Sequence, residues 1–127
     1  MKLLKRSAVF FMTGAIGYAA IEILWRGYTH PAMMLAGGLS FLSFSFIAKR
    51  LSSLPLIAKA AIGAVGVTAI EFIFGIICNV WLSLGIWDYS AQPLNLLGQI
   101  CPLFSLMWCG LAIMFIPLAD RMNRLFA

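Results

Sequence analysis

The stretch IAKAAIGAVGVTAIEFIFGIICNVWLSL, residues 57–84, carries one lysine and one glutamate in an otherwise uncharged, mostly apolar run. About 20 apolar residues in a helix are enough to cross roughly 30 Å of hydrocarbon. A helix also satisfies its backbone hydrogen bonds without water, which a membrane-spanning segment must do. We therefore predict that this stretch spans a bilayer, with enough length to tilt, break or protrude.

The rest of the chain has the same character. Of its 127 residues, 63% are hydrophobic and 10% are charged, and the mean hydropathy is +1.00. A soluble domain of this size could not bury so much apolar surface. We predict an all-α integral membrane protein that forms a single transmembrane domain over residues 1–127, with four transmembrane helices near residues 7–25, 32–48, 57–84 and 98–118.

The basic residues indicate the orientation, because lysine and arginine gather on the cytoplasmic side of a membrane. Cytoplasmic termini would leave only Arg26 outside and place eight basic residues inside: Lys2, Lys5, Arg6, Lys49, Arg50, Lys59, Arg121 and Arg124. We expect a multi-pass protein of the cell inner (cytoplasmic) membrane with both termini cytoplasmic. The net charge of +5 then reflects topology, and no nucleic-acid partner is predicted.

The cysteines and the histidine predict little chemistry. Cys78, Cys101 and Cys109 lie in or beside predicted spans and form no CxxC pair, which is typical of buried free thiols. His30 has no companion ligand, so no metal site is predicted. A membrane enzyme is the last-ranked possibility: acid–base work could use Glu71 and Asp88, but no histidine lies near either in the sequence, and no serine has a base at a recognisable spacing. We therefore expect no catalytic residue, no cofactor and no enzymatic activity.

A repeat relates the two halves of the chain. Residues 14–23, GAIGYAAIEI, and residues 63–72, GAVGVTAIEF, share Gly, Ala, Gly, Ala, Ile and Glu in the same order. The first and third helices cross the membrane in the same direction. We therefore predict two helical hairpins, related as a parallel repeat by a pseudo-two-fold axis along the membrane normal. The repeat pairs Glu71 with Glu22.

Both glutamates follow small residues at helical spacing, a pattern that favours a face packed inside the protein. Glu22 can pair with Arg26 one turn later, so a structural ion pair and a functional group are equally good interpretations of it. Glu71 has no basic residue within a turn, so it is either neutral or paired across helices, with Arg26 as one candidate partner. The candidate intramembrane site for a substrate or proton comprises Glu22, Glu71, Arg26 and Thr68.

A polar stretch, GIWDYSAQPLNLLGQICP, connects the third and fourth predicted helices at residues 85–102. Tryptophan and tyrosine suit the membrane interface, and Asp followed by Ser can turn the chain, so an interfacial turn is the simplest interpretation. The same side chains form a candidate outer-loop site, which comprises Trp87, Asp88, Tyr89, Ser90, Asn95 and Gln99.

The run WDYSAQPLNLLGQICPLFSLMW, residues 87–108, resembles the signature of a bacterial family described as putative ABC-transporter type IV, or CmpB-like. The matching positions in the run are Trp87, Asp88, Tyr89, Ser90, Asn95, Gly98, Cys101, Ser105 and Trp108. Glu22 and Glu71 match glutamates in the family's first helix and in the helix before WDYS. Gln99 stands where the family usually has arginine, and RGYTHPAMML lacks its Gly-Pro-Cys-Pro segment.

The resemblance implies a transporter, but the chain contains no GxxxxGK[ST] loop for ATP phosphates. Any ATPase would be a separate subunit. Four helices enclose little space, so we also expect a homo-oligomer or a partner membrane subunit within the lipid bilayer.

These features favour a permease or transporter component. Glu71 would bind or relay a proton or cation and Glu22 would assist, while Asp88, Tyr89 and Asn95 would line the outer mouth. The alternative is a non-transporting membrane scaffold or lipid-binding subunit, in which these side chains only hold the helices together.

Overall fold

The computed structural model describes residues 2–126. Within them the chain forms four long helices and no strand: α1 Lys2–Arg26, α2 Pro31–Arg50, α3 Leu56–Gly75 and α4 Pro102–Leu125. A π-helical turn, Ile76–Trp81, continues α3. By length and composition, α1, α2, α4 and α3 with its π-helical turn can each cross a membrane. This confirms the predicted all-α fold with four membrane-spanning helices.

Prolines determine where α2 and α4 begin. Pro31 and Pro102 occupy the first turns of these helices. The residue before each is extended, because the proline ring disfavours a helical conformation there. His30 also caps α2, since its Nδ1 accepts a hydrogen bond from the N–H of Ala32 at 3.1 Å.

The predicted fourth helix, residues 98–118, differs from α4 at both ends. Residues 98–101 fold into the preceding loop, so the helix begins only at Pro102. It continues past the apolar run to Leu125, and Asp120 and Arg124 pair at 3.0 Å on its exposed side. An i,i+4 ion pair supports a helix in a polar segment, where hydropathy gives no signal for it.

The other helix bounds differ for related reasons. α1 begins at Lys2 rather than residue 7, because lysine and arginine are good helix formers outside the apolar span. The helical part of the third span ends at Trp81 rather than residue 84. Its last turn is widened: the N–H of Leu82 donates to the carbonyl of Ile77, five residues back, at 3.0 Å.

α2 occupies the centre of the bundle. α1 packs along α2, α3 packs along α4, and α2 also contacts both α3 and α4. Buried apolar side chains from all four helices, including Phe10, Phe41, Val67 and Ile116, form the main core. α1 and α4 meet at few points, which leaves a space between them. The parallel repeat that relates two hairpins stays a prediction.

Glycines let α1 and α2 approach closely. A Cβ on Gly14 would lie 2.5 Å from the carbonyl oxygen of Gly37 and 2.5 Å from the Cβ of Phe41. Gly63, which the repeat aligns with Gly14, faces the ring of Phe44 instead, with its nearest carbon 3.0 Å from such a Cβ. The aligned positions therefore share a residue type but not a packing environment.

A polar network joins the two ends of the chain. The guanidinium of Arg6 on α1 donates to Asn123 Oδ1 on α4 and, at 3.5 Å, to the hydroxyl of Ser45 on α2. Asn123 Nδ2 donates in turn to the Ser45 carbonyl at 3.1 Å. The network places both chain ends at the same end of the bundle.

Candidate functional site

Glu71 is buried on α3 and receives two hydrogen bonds from neutral groups. The Tyr89 hydroxyl donates to Oε2 at 3.0 Å, and the Trp108 indole N–H donates to Oε1 at 3.3 Å. Only 4% of the residue is exposed. Burial and the Glu71 carboxylate both raise the pKa of the Tyr89 phenol, so this hydroxyl keeps its proton and remains a donor.

Glu22 is equally buried, but it has a cationic partner. The guanidinium of Arg26 lies 2.7 Å from Oε2, the spacing of an i,i+4 ion pair on α1. Tyr18 also donates to Oε2 at 3.1 Å, and the hydroxyl of Thr29 donates to Oε1 at 2.6 Å. Arg26 additionally reaches the carbonyl of Ile86 at 3.4 Å. Arg26 therefore balances the negative charge of Glu22, whereas the hydrogen bonds to Glu71 come from neutral groups.

This arrangement corrects the cross-helix pairing considered for Glu71. Arg26, one candidate partner of Glu71, is bound to Glu22, because the two lie one turn apart on the same helix. The partners of Glu71 are Tyr89 and Trp108, which contribute no charge.

Aromatic rings bring the two carboxylates into one site. The ring of Tyr18, whose hydroxyl contacts Glu22, packs against the ring of Trp108 with 5.8 Å between centroids. Trp108 in turn donates to Glu71. The pair also bridges α1 and α4, helices that otherwise meet at few points. Two rings in contact therefore connect the surroundings of the two carboxylates.

The loop between α3 and α4 folds back onto the end of α3. A Cβ on Gly75 would lie 2.6 Å from Gln99 Oε1 and 3.0 Å from Trp87 Cζ2, so glycine is required at this contact. Asn79 Nδ2 donates to Gln99 Oε1 at 2.9 Å, while Asn79 Oδ1 accepts from the N–H of Ile86 at 2.7 Å. The Trp87 indole donates to the Gln99 carbonyl at 3.0 Å. The docked loop places Tyr89 over Glu71.

Hydrogen bonds within the loop fix its shape. Asp88 Oδ1 accepts from the N–H of Ser90 at 2.9 Å, and Asn95 Nδ2 donates to the Ser90 carbonyl at 3.2 Å. Asn95 Oδ1 accepts from the N–H of Gly98 at 2.9 Å. The Gly98 carbonyl accepts from the N–H of Tyr89 at 2.7 Å. Gly98 has a positive φ of 72°, a conformation that glycine adopts readily.

Acidification is expected to loosen this loop. The backbone N–H of Ser90 holds the pKa of the Asp88 carboxyl below its ordinary value of 3.8. A lowered folded-state pKa means that the carboxylate stabilises the loop above that ordinary value, and that the stabilisation is lost as the pH falls through the lowered value. Tryptophan emission followed during acidification should therefore shift in the wild type. In Asp88→Asn the amide oxygen can still accept from Ser90 and does not titrate, so the part of the emission shift that is due to Asp88 should be absent. An identical acid-induced shift in both proteins would contradict this prediction.

Two spaces adjoin the carboxylates. A partly open cavity of about 160 Å³, called the inner cavity below, lies beside Glu71, and a groove of about 660 Å³ lies between α1 and α4 and reaches Glu22 and Arg26. Tyr18 and Trp108 line both the inner cavity and the groove. They form part of the boundary between the two spaces.

The structure brings together only some of the residues predicted for the two candidate sites. Glu22, Arg26, Trp87 and Tyr89 line the groove, and Glu71 lines the inner cavity. Gln99 lies under the docked loop and lines neither space.

Thr68 is not part of the carboxylate site. Its hydroxyl lies 2.8 Å from that of Ser105, so it links α3 to α4. Asp88, Ser90 and Asn95 hold the loop together and line neither the groove nor the inner cavity.

Four contributing side chains were not assigned to either predicted site. Tyr18 stands one turn before Glu22, a spacing that could have identified it. Thr29 and Asn79 give weaker signals, because each is a polar residue whose partner depends on how the chain turns. Trp108 appeared only as a position of the family signature.

Metal ligands are not gathered at the site. Within residues 2–126 no group of three or more His, Cys, Asp and Glu side chains could hold a metal ion. Cys78, Cys101 and Cys109 are free thiols. The chemistry that the described residues offer is therefore that of carboxylates beside hydrogen-bond donors and aromatic faces.

Comparison with protein-family models gives one match, to the family described as Putative ABC-transporter type IV, over residues 8–126. No curated protein and no solved structure matches the chain. The matched region contains both buried glutamates, the docked loop and Trp108. The chain therefore belongs to the Putative ABC-transporter type IV family.

Proposed function

We propose that the chain is the membrane component of a transporter in which Glu71 forms an intramembrane site for a proton or a cation. Family membership and four apolar helices support a transporter component in a lipid bilayer. The observation that carries the site is the contrast between the two buried glutamates. Arg26 balances the charge of Glu22, whereas Glu71 receives only neutral donors among the described residues.

A carboxylate that is bonded only to neutral donors can bind and release a proton or a cation, which supplies the positive charge that balances it. On insertion scales, a charge at the centre of a bilayer costs on the order of 2.5–3.5 kcal/mol. Two hydrogen bonds from Tyr89 and Trp108 offset part of that cost but leave the net charge in place. A proton or a bound cation removes the net charge, and Glu22 with Arg26 forms a neutral pair beside it. Glu71 is thus the binding group, and Glu22 assists by holding Tyr18 in place.

Further subunits complete the proposed transporter. The chain contains no GxxxxGK[ST] loop for ATP phosphates, so any ATPase of this transporter would be a separate subunit. The groove between α1 and α4 is open on one side, and a second copy or another membrane subunit would complete the pathway. We place both chain ends on the cytoplasmic side of the inner membrane, since eight of nine basic residues then follow the positive-inside rule.

Infrared difference spectroscopy tests the Glu71 site directly. We expect the reconstituted wild type to show a carboxyl band that titrates between about pH 4 and about pH 9, a range covering reference carboxyl pKa values and the larger shifts seen at buried sites. Glu71→Gln should remove that band, because an amide does not titrate. Asp120→Asn is the matched control, because it removes a carboxyl group of α4 that pairs with Arg124 outside the site, and it should leave the band in place. A spectrum with no Glu71-dependent band in that range would exclude a proton-exchanging site.

A non-transporting scaffold or lipid-binding subunit is the second candidate. It is favoured by the inner cavity, whose lining is mostly apolar, and by the complete hydrogen bonding of buried side-chain polar atoms within residues 2–126. In this case Tyr89 and Trp108 only fasten the loop and α4 to α3. Glu71→Gln would then preserve fold and assembly, because the amide oxygen can still accept a hydrogen bond.

A further inference from the structure

We propose that the groove between α1 and α4 admits an amphipathic organic monocation from the lipid phase, and that this class of molecule is the ligand of the Glu71 site. The inference rests on the proposed function and specifies the cation. Three features of the described residues support it: the size and openness of the groove, its aromatic wall, and the net charge of the groups around it.

The groove has the dimensions of a small-molecule site and opens sideways. Its volume of about 660 Å³ lies within the roughly 300–1,000 Å³ typical of ligand pockets. Trp25 on α1 and Met114 on α4 line it and are mostly exposed, so its opening faces the surroundings of the helices. In a bilayer those surroundings are acyl chains. A ligand with a hydrophobic body can therefore enter from lipid without crossing water.

Aromatic rings form the inner wall of the groove. Tyr18 packs on Trp108 at 5.8 Å between centroids, Trp87 lies 6.4 Å from Tyr89, and Tyr89 stacks on Phe104 at 4.5 Å. All five line the groove. The negative face of an aromatic ring attracts a cation, most strongly where water is excluded. The apolar remainder of the groove suits the hydrophobic body of an amphipathic ligand.

Charge complementarity selects a monovalent cation. Three ionisable groups that carry charge lie at the groove and just behind its wall: Glu22, Arg26 and Glu71. Arg26 cancels Glu22 at 2.7 Å, and its guanidinium carbon also lies 4.9 Å from the ring centroid of Tyr28. An ionised Glu71 leaves one negative charge, which one monocation neutralises. An anion would be repelled, and a dication would leave an unbalanced positive charge in the membrane.

The wall of the groove also supplies a route to Glu71. Tyr89 and Trp108 line the groove and donate hydrogen bonds to the carboxylate behind them. The Tyr89 hydroxyl and the Trp108 indole N–H lie in the planes of their rings, so the Glu71 oxygens meet the ring edges while a cation would rest on the ring faces. Displacement of either donor exposes a carboxylate oxygen to the cation. Both rings thus belong to the binding surface, and Trp108, which lines both spaces, also separates the groove from the inner cavity.

Equilibrium binding of tetraphenylphosphonium, a lipophilic monocation, to protein in lipid nanodiscs tests the inference. We expect saturable binding to the wild type that neutral triphenylphosphine oxide does not displace. Glu71→Gln should weaken binding about tenfold or more, since it removes a charged partner. Asp120→Asn removes a carboxylate near the end of α4 that lies away from the groove, and it is the matched control for loss of charge. This variant should bind tetraphenylphosphonium with the affinity of the wild type.

A second variant keeps the test decisive if Glu71→Gln fails to fold. Phe104→Leu retains an apolar side chain but removes an aromatic face of the groove that bonds to neither carboxylate, so affinity for tetraphenylphosphonium should fall about twofold to thirtyfold, the range of a cation–π contribution. Absence of saturable binding, equal binding by the glutamine variant, or displacement by the neutral analogue would each overturn the proposed ligand class. The infrared titration of Glu71 uses no organic cation. A titrating band without tetraphenylphosphonium binding would therefore reject the ligand and leave the proposed proton site standing.

Discussion

Replacing Gly14 with alanine is expected to force α1 away from α2 and to destabilise the bundle. The added carbon would lie 2.5 Å from both the Gly37 carbonyl oxygen and the Cβ of Phe41. Neither atom can move without shifting a helix, because one is backbone and the other is attached to it directly. Overpacking of this kind costs about 1–3 kcal/mol. Unfolding by detergent titration should show the loss as an earlier transition.

Two other glycines of the repeat provide matched controls. Gly17→Ala adds a carbon with no neighbour within 4 Å, so it should not destabilise the protein. Gly63→Ala should have an intermediate effect, since the nearest atom, 3.0 Å away, belongs to the Phe44 ring, which can turn slightly. From the most to the least stable, the expected order of the variants is Gly17→Ala, Gly63→Ala and Gly14→Ala. A Gly14→Ala protein as stable as the wild type would show that α1 and α2 do not approach so closely.

Replacing Gly75 with alanine is expected to undock the loop between α3 and α4 and to break the contact from Tyr89 to Glu71. The new carbon would lie 2.6 Å from Gln99 Oε1 and 2.9 Å from Gln99 Cβ. Gln99 cannot simply rotate away, because its side-chain amide is bonded to Asn79 and to the Leu97 carbonyl. The loop must therefore shift as a unit.

Thiol labelling can measure this shift at a native cysteine, so no new residue has to be introduced into the loop. Cys101 is a buried free thiol where the loop meets α4. A membrane-impermeant maleimide should label Cys101 slowly in the wild type and many times faster in Gly75→Ala, with the modified residue located by mass spectrometry. Gly110→Ala, where the added carbon meets nothing within 4 Å, should label like the wild type. Equal protection of Cys101 in the Gly75→Ala protein would mean that the loop tolerates the added carbon.

The sequence was sufficient to predict the all-α fold and the four spans, because hydropathy over 20 residues reports directly on the solvent that surrounds a helix. It also offered Glu22 as one of two possible partners of Arg26, and this is the pair that forms, since i,i+4 groups on one helix meet whatever the tertiary structure is. The ends of the helices were less predictable. They depend on single residues, such as Pro102, and on polar segments with no hydropathy signal.

The partners of Glu71 could not be derived from spacing. Tyr89 lies 18 residues away and Trp108 lies 37 residues away, so both contacts require the loop and α4 to have packed. Thr68 shows a second limit of prediction from helical spacing. It stands on the same helical stripe as Glu71 and meets the same helix, α4, yet its hydroxyl bonds to Ser105 and takes no part in the carboxylate site. A stripe identifies the buried side of a helix but not which neighbour each residue meets.

The network of Arg6, Ser45 and Asn123 anchors the basic end of α1. It fixes the first turns of α1 to α2 and α4, while the far end of α1 borders the open groove. Arg6 and Arg26 are separated by about 30 Å along the helix axis, at 1.5 Å per residue. A tilt of about 5° about the Arg6 end would therefore displace Arg26 by about 2.6 Å, and Glu22 would move with it because both residues lie on α1. Small angular changes at the basic end thus become changes in the width of the groove.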